Sequence, residues 1–561
     1  MCKHILNAQV SIRAPCCKRW FDCAECHAEA SDHELAKSIE MVFACKKCKK
    51  CFRKDLENFD ETDEYCPHCD NHYVLEAKTP SFGIGVEGDD PRLDNRLIKD
   101  ERIKQDPKKS IFNQDITYRM DRIRRKNYLL FQLAFFQSSR HVFGTGSKHE
   151  NCFDNVKVSS NAWDTNLVKV NPSFVSINWN AGGGGAFAVI PHKNVGKIHD
   201  GIPLYRAHTA PVLDTDFANF NDNVVASCGE DSKVMIWTVP EELGEPESPD
   251  IEPVSKLTGH GRKVGHVLFH PVADNVLASS SADLTIKLWD IEKGVEKQEL
   301  KGFLDFVQSM SWNWNGSLMV TTCRDKKLRI FDVRSSKVVQ EAASHQGIKG
   351  SRVVWLGDTE RLATTGFSKM SDRQVYLWDS TQLEKPIKTM MLDTSSGIVM
   401  PFYDEDTKIL YLAGKGSVKD VLKSDGNIRY YEFENDELFF LSEYKSSEPQ
   451  RGMAFMPKRG VNVNECEITK AYKVTSNCIE PISFVVPRRS DGFQPDLFPP
   501  ALSDEPALTA DEFFGGKNAN PKTIDLENGF VAKEKKEFVS SAPKEEEKIP
   551  KTEKDVCFKE A

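Results

Sequence analysis

From residue 205 onward, six residues separate an aspartate from an aromatic at five successive places: Asp231 and Trp237, Asp283 and Trp289, Asp325 and Phe331, Asp372 and Trp378, Asp425 and Tyr431. Between the members of each pair runs an alternating apolar stretch (SKVMIW, LTIKLW, KKLRIF, RQVYLW, GNIRYY), which reads as a half-buried strand entered from a tight turn. The aspartates recur at intervals of 52, 42, 47 and 53 residues. A four-stranded propeller blade takes roughly 40–45 residues, so the blades carry loop insertions.

These are WD-type repeats. In such a blade a histidine at the start, a strand Ser or Thr, the turn aspartate and the strand tryptophan can form a buried hydrogen-bonded chain, and His208 and His260 stand in the right places. A buried indole contributes roughly 1.5–3 kcal/mol through burial, and its N–H needs a partner once water is gone. These residues are therefore expected to hold the fold together rather than to bind a partner. Five blades leave residues 139–205 and 432–490, each rich in alternating stretches, to form two divergent ones. Seven blades, one of them closed by joining N- and C-terminal strands, remove the exposed sheet edge of an open array. The glycine run 182–185 lacks a following Lys-Ser/Thr and reads as a hairpin turn, not a phosphate loop.

The other end of the chain is built differently. Of 16 cysteines, ten fall within the first 69 residues. They include three C-x2-C pairs, Cys23/Cys26, Cys45/Cys48 and Cys66/Cys69, the spacing at which a tight turn offers two thiolates to zinc. With Cys2, His4, Cys16, Cys17, His27 and His33 the candidate ligands fill three closed four-ligand sites, leaving no position for water and hence no chemistry at the metal. Adjacent ligands such as Cys16 and Cys17, or Cys26 and His27, are expected to point apart and to serve different ions. Cys51 and His68 are left over, and Cys48/Cys51 is an alternative knuckle to Cys45/Cys48. A segment of about 75 residues with so few aliphatics cannot build an adequate core, so metal binding is expected to supply most of its folding free energy.

CKHI, APCC, WFDCAECHAE, DHEL, ACKKC and YCPHC resemble the CHY-type zinc finger over residues 1–77. The resemblance implies the same twelve ligands and three structural Zn2+. The stretch FGIGVEGDDPRLDNRLIKDERIKQDP that follows is similar to the extension of the fungal mitochondrial import helpers of that family. Residues 78–138 read as a charged linker, with twelve Lys/Arg against six Asp/Glu between Arg92 and Lys126. Farther on, RHVFG, NWNAGGGGAFAVIP, EDSKVMIW, RDKKLRIFDVRSS, GFSKMSDRQVYLWD and EPQRGMAFMPKRGVNVNECEI resemble coronin, and IEPISFVVPRRSDGFQPDLFPP resembles that family's extension beyond the propeller. The resemblance spans about residues 139–530 and implies binding to actin filaments and to the actin-nucleating complex of actin-related proteins. It assigns filament contact to the basic residue in CFDNVK, Lys157, where the family commonly has arginine.

The chain is thus expected to be mainly β: a zinc module (1–77), the linker, a seven-bladed WD-repeat propeller (139–490), a coronin-like extension (491–530) and a disordered tail (531–561). The tail carries eight Lys against eight Asp/Glu, with Pro543 and Pro550 and no sustained heptads, so a monomer is expected. Residues 417–424, SVKDVLKS, interrupt the sixth repeat as a loop or an untrimmed intron. A formal charge of −9 argues against nucleic acid as a whole-chain partner, and no apolar run reaches the roughly 20 residues of a bilayer span. The function expected is a non-enzymatic, actin-filament-binding scaffold at the cytoplasmic cortical cytoskeleton. The alternatives are a zinc and thiol helper of import in the mitochondrial intermembrane space, with the propeller as a peptide platform, or two neighbouring genes read as one.

Overall fold

Alternating apolar residues become strands where each face meets a different neighbour, and the computed structural model shows this in two separate units, Met1–Arg140 and His141–Ala561. It describes residues 9–31, 33, 40–55, 66–69, 142–240, 243, 249–416, 426–488, 492–527, 529 and 538–541. The linker 78–138, the insertion 417–424, Asp425, Cys2 and His4 lie outside them.

Among the described residues of the first unit four short strands make one antiparallel sheet in the order Trp20–Phe21, Val10–Arg13, Glu40–Cys45, Cys51–Asp55, with one helix, Ala24–Ala30. Its buried apolar set is small, Val10, Ile12, Ala14, Phe21, Phe43 and Phe52, and cysteine sulfurs complete it.

The second unit is a seven-bladed propeller. Six antiparallel four-stranded sheets follow one another from Val168–Val170 to Glu437–Tyr444. The seventh takes Gly452–Phe455, Glu467–Val474 and Cys478–Val485 from the C-terminal side and Phe143–Gly146 from the N-terminal side. There Phe143 pairs with Val485 and Gly146 with Ile482, so the ring is closed by backbone hydrogen bonds rather than left with an open edge. The first divergent blade occupies 168–208, starting well inside the expected 139–205 and ending three residues beyond it. The other begins only at Gly452, because Ile428–Glu434 and Glu437–Tyr444 are the outer strands of blade six.

Beyond Val485 the chain runs along the propeller. Leu497, Phe498, Ala501 and Leu526 are buried against blades six and seven, and Leu508, Ala510 and Phe513 against blades three and four. Part of the expected disordered tail is anchored: Phe538 packs against the apolar cluster shared by blades two and three, and the Ser541 N–H donates to the Glu292 carbonyl at 2.8 Å. An aromatic that finds an apolar cleft overrides the charged composition around it.

Candidate functional sites

Two groups of four ligand atoms converge in the first unit, each with all four atoms within 4.8 Å of one another: Cys45, Cys48, Cys66 and Cys69, and Cys16, Cys17, His27 and His33. In the first group Cys45 Sγ lies 3.7 Å from Cys69 Sγ, and Cys48 Sγ 3.7 Å from Cys66 Sγ. A zinc–sulfur bond of about 2.3 Å in a tetrahedron requires sulfurs about 3.8 Å apart, so the thiols already sit at that spacing. Burial raises the Cys45 thiol, but the backbone N–H groups of Cys48 and Lys47, together with the Cys69 and Cys48 thiols, more than offset that and leave its pKa lowered. Burial pushes the Cys66 thiol well up. Four thiolates cannot share this space unless a cation offsets their charge.

In the second group Cys16 Sγ is 3.2 Å from His27 Nε2. His27 is fully buried at the helix, and burial first, then the neighbouring His33, keeps its ring toward the neutral form that a metal requires. Cys16 and Cys17 serve the same group, contrary to the expectation that neighbours diverge. A reversing turn, in which the Lys18 N–H donates to the Ala14 carbonyl at 2.9 Å and Lys18 takes φ 62°, gathers both sulfurs to one side. Cys26 and His27 do part, since only His27 joins this group. Cys23 caps the helix, its sulfur accepting from the Cys26 N–H at 3.3 Å. Cys51 is exposed and His68 packs on Phe52; neither belongs to either group.

In the propeller, blade two brings together His208, Ser227, Asp231 and Trp237. His208 Nδ1 meets Asp231 at 2.9 Å, its Nε2 meets Ser227 Oγ at 2.8 Å, and Trp237 Nε1 donates to the same hydroxyl at 2.8 Å. Blade three repeats this with His260, Asp283, Ser279 and Trp289. In blade four Asp325 instead holds Arg329 through its two terminal guanidinium nitrogens, and Phe331 is buried. In blade five Asp372 takes no part. The left-handed turn residue follows the aspartate in the other blades (Ser232, Leu284, Lys326) but precedes it here as Ser371. Asp372 accepts from the Ser368 hydroxyl, while Trp378 Nε1 and His345 Nε2 meet at Thr364 Oγ1. Tyr431 of blade six is buried.

Lys157 stands exposed beside the closing blade. Its Nζ lies 3.1 Å from Asp200, whose carboxyl is lowered by that contact, and its carbonyl accepts from the Asn180 N–H at 2.7 Å.

The chain matches the CHY zinc finger over residues 2–78, the WD domain, G-beta repeat at 201–238, 251–290 and 294–332, a further type of WD40 repeat at 479–521, and a domain of unknown function, DUF1899, at 134–197. Among solved structures it is similar to the WD40 domain of Toxoplasma gondii coronin, 31% identical with a TM-score of 0.64, covering 69% of this chain and 97% of that one. It is 46% identical to Coronin-A of Dictyostelium discoideum over 70% of this chain and 86% of the relative. The chain belongs to the coronin family. Coronin-like protein crn1 of Schizosaccharomyces pombe is 57% identical over 70% of this chain, and the match spans 65% of that protein's length. In this coronin the zinc finger, at residues 2–78, precedes the WD repeats, which are matched from residue 201.

Sequence reasoning missed two groups in this coronin. One is His345, which lies 19 residues before Thr364, the spacing that also separates His208 from Ser227 and His260 from Ser279. The other is a segment across the channel, Ser159–Thr165, centred on Asp164. There Arg352 and Lys415 approach Asp164 at 2.9 and 3.0 Å; burial raises its carboxyl, but these two cations more than offset that and hold it well below the usual range. No spacing rule reveals an irregular segment of this kind.

Proposed function

We propose that this coronin is a non-enzymatic scaffold that binds actin filaments through its propeller and helps organise the cytoplasmic actin cytoskeleton at the cell cortex, with the actin-nucleating complex as a further partner. Its membership of the coronin family carries the reading, and the exposed Lys157 supports it. Lysine keeps the charge expected there but lacks the planar fork of arginine. The test is co-sedimentation of the full chain with actin filaments at physiological salt. Wild type should pellet, K157E should bind roughly fivefold more weakly, and K157R should bind at least as well as wild type. A wild-type protein left in the supernatant at micromolar filament concentration contradicts the reading, as does a tagged chain that localises to mitochondria.

The zinc finger is proposed to be structural and to hold three ions, the third by Cys2, His4, Cys23 and Cys26. Metal analysis of the purified chain should return three zinc ions per molecule; two would contradict the third site.

A further inference from the structure

The propeller's channel is closed at one end by the chain itself. The innermost strands of blades seven and one, one and two, two and three, four and five, and five and six pack against each other, and Ser159–Thr165 meets residues at or beside the starting ends of the innermost strands. Trp163 Nε1 donates to the Gly265 carbonyl of blade three at 3.1 Å and its ring packs on Phe306 of blade four. Asp164 holds Arg352 of blade five and Lys415 of blade six. Arg451 of blade seven donates to the Ser159 carbonyl at 2.6 Å, Thr165 Oγ1 to the Leu213 carbonyl of blade two at 2.8 Å, and the Ser159 N–H to Asn178 of blade one. This end therefore offers a closed face, not a mouth into which a peptide could thread. Two hollows among the described residues lie elsewhere, one beside Ile198 and Pro203 and the other beside Trp312 and Pro521.

Around the closed end, over blades three to five, the strand connections carry an unusual combination. Leu304, Ile348 and Met370 stand out from three neighbouring loops at 75, 87 and 84% exposure. Between them lie Arg262, Lys263, Arg324, Lys326, Lys349 and Lys369. Three of these cations are fixed over rings: Lys263 over Trp163 at 4.5 Å, Arg324 over Phe306 at 5.3 Å, Lys349 over Phe367 at 4.8 Å. The acids of the same connections are engaged: Asp283 by His260, Asp325 by Arg329, Asp372 by Ser368, and Asp305 by Arg324. Among the described residues no carboxylate pairs with Arg262, Lys263, Lys326, Lys349 or Lys369, so a chain of net charge −9 presents here a positively charged face with three apolar points. Three exposed apolar side chains on neighbouring loops, set among cations, suit a partner surface that is acidic with apolar gaps.

We propose that this closed face over blades three to five is where an actin filament, a net-negative protein polymer, lies against the propeller, with Leu304, Ile348 and Met370 entering apolar hollows between its acidic groups. The proposal rests on the filament-binding reading above. An anionic bilayer would also attract cations, but the aromatic rings of this face, Trp163, Phe306 and Phe367, are covered by cations and not free to anchor at a membrane interface.

The experiment compares the full chain with two triple variants, L304S/I348S/M370S and R262E/K326E/K369E, by filament co-sedimentation and by flotation with phosphatidylserine vesicles. Each variant should keep the wild-type melting temperature and lose at least tenfold in filament affinity, and wild-type binding should weaken as salt is raised. If wild type pellets and both variants pellet equally well, the face is wrong while the filament reading stands. If wild type does not pellet, both fail. Loss of vesicle flotation with filament binding intact would assign the face to lipid and overturn the proposal.

Discussion

The two units of the chain solve the same problem with different means. Among its described residues the zinc finger buries a handful of apolar side chains, and it relies on ligand atoms that converge from distant parts of the sequence, Cys45 with Cys69 and Cys16 with His27. The propeller has large apolar clusters between successive blades, and its polar residues are absorbed into hydrogen-bonded chains such as His260–Ser279–Trp289. One unit's folding is therefore tied to metal concentration, while the other's is tied to buried area and to pairing of buried polar groups.

The largest expected effect separates them outright. Structural zinc contributes on the order of 10–16 kcal/mol per site, so a zinc-selective chelator should unfold the finger and leave the propeller's melting transition in place. Calorimetry of the full chain before and after chelation checks this, and a propeller transition that moves with zinc would break the comparison. Next in size, Trp289→Ala in blade three should cost about 3–5 kcal/mol and lower the propeller's transition without changing zinc content. Retention of the melting temperature with loss of filament binding would show that Trp289 serves binding rather than folding. Ser279→Ala removes the hydroxyl shared by Trp289 and His260 and should cost about 1–3 kcal/mol, again in the propeller transition alone.

The smallest effect is a change with pH. Burial lowers the His345 pKa to about 4, against 6.5 for a free imidazole. Because the folded value is the lower one, the unfolded chain takes up the proton first, and His345 draws stability away as pH falls through 6.5 toward 4. A His345→Gln variant lacks this loss, so its stability relative to wild type should improve by about 2 kcal/mol between pH 7.5 and pH 5. Denaturant titrations at the two pH values measure it, and a constant difference would mean that His345 is not buried as described.

The comparison also explains what could be read from residues alone. The six-residue offset found Asp231, Asp283 and Asp325 because each precedes a left-handed residue in the same turn. At Asp372 the offset is a coincidence. Thr364 and Trp378 are fourteen residues apart where Ser227 and Trp237 are ten apart, so that hairpin is longer and the aspartate falls at its far edge. The 19-residue step from histidine to hydroxyl survives the insertion, because it spans the adjacent strand and not the altered turn. In the zinc finger the knuckle spacing exposed the ligands, but their grouping depends on how the sheet brings residue 45 near residue 69, which local spacing does not encode. The channel-closing segment lacked any signal, since its contacts run to all seven blades and it has no periodicity of its own.

The central claim is that the propeller carries the binding and the zinc finger does not. The most direct measurement is co-sedimentation of the full chain with phalloidin-stabilised actin filaments, before and after its zinc has been removed by a zinc-selective chelator. An unchanged bound fraction is predicted, while loss of pelleting on zinc removal would contradict the claim and place the contact in the metal-held unit.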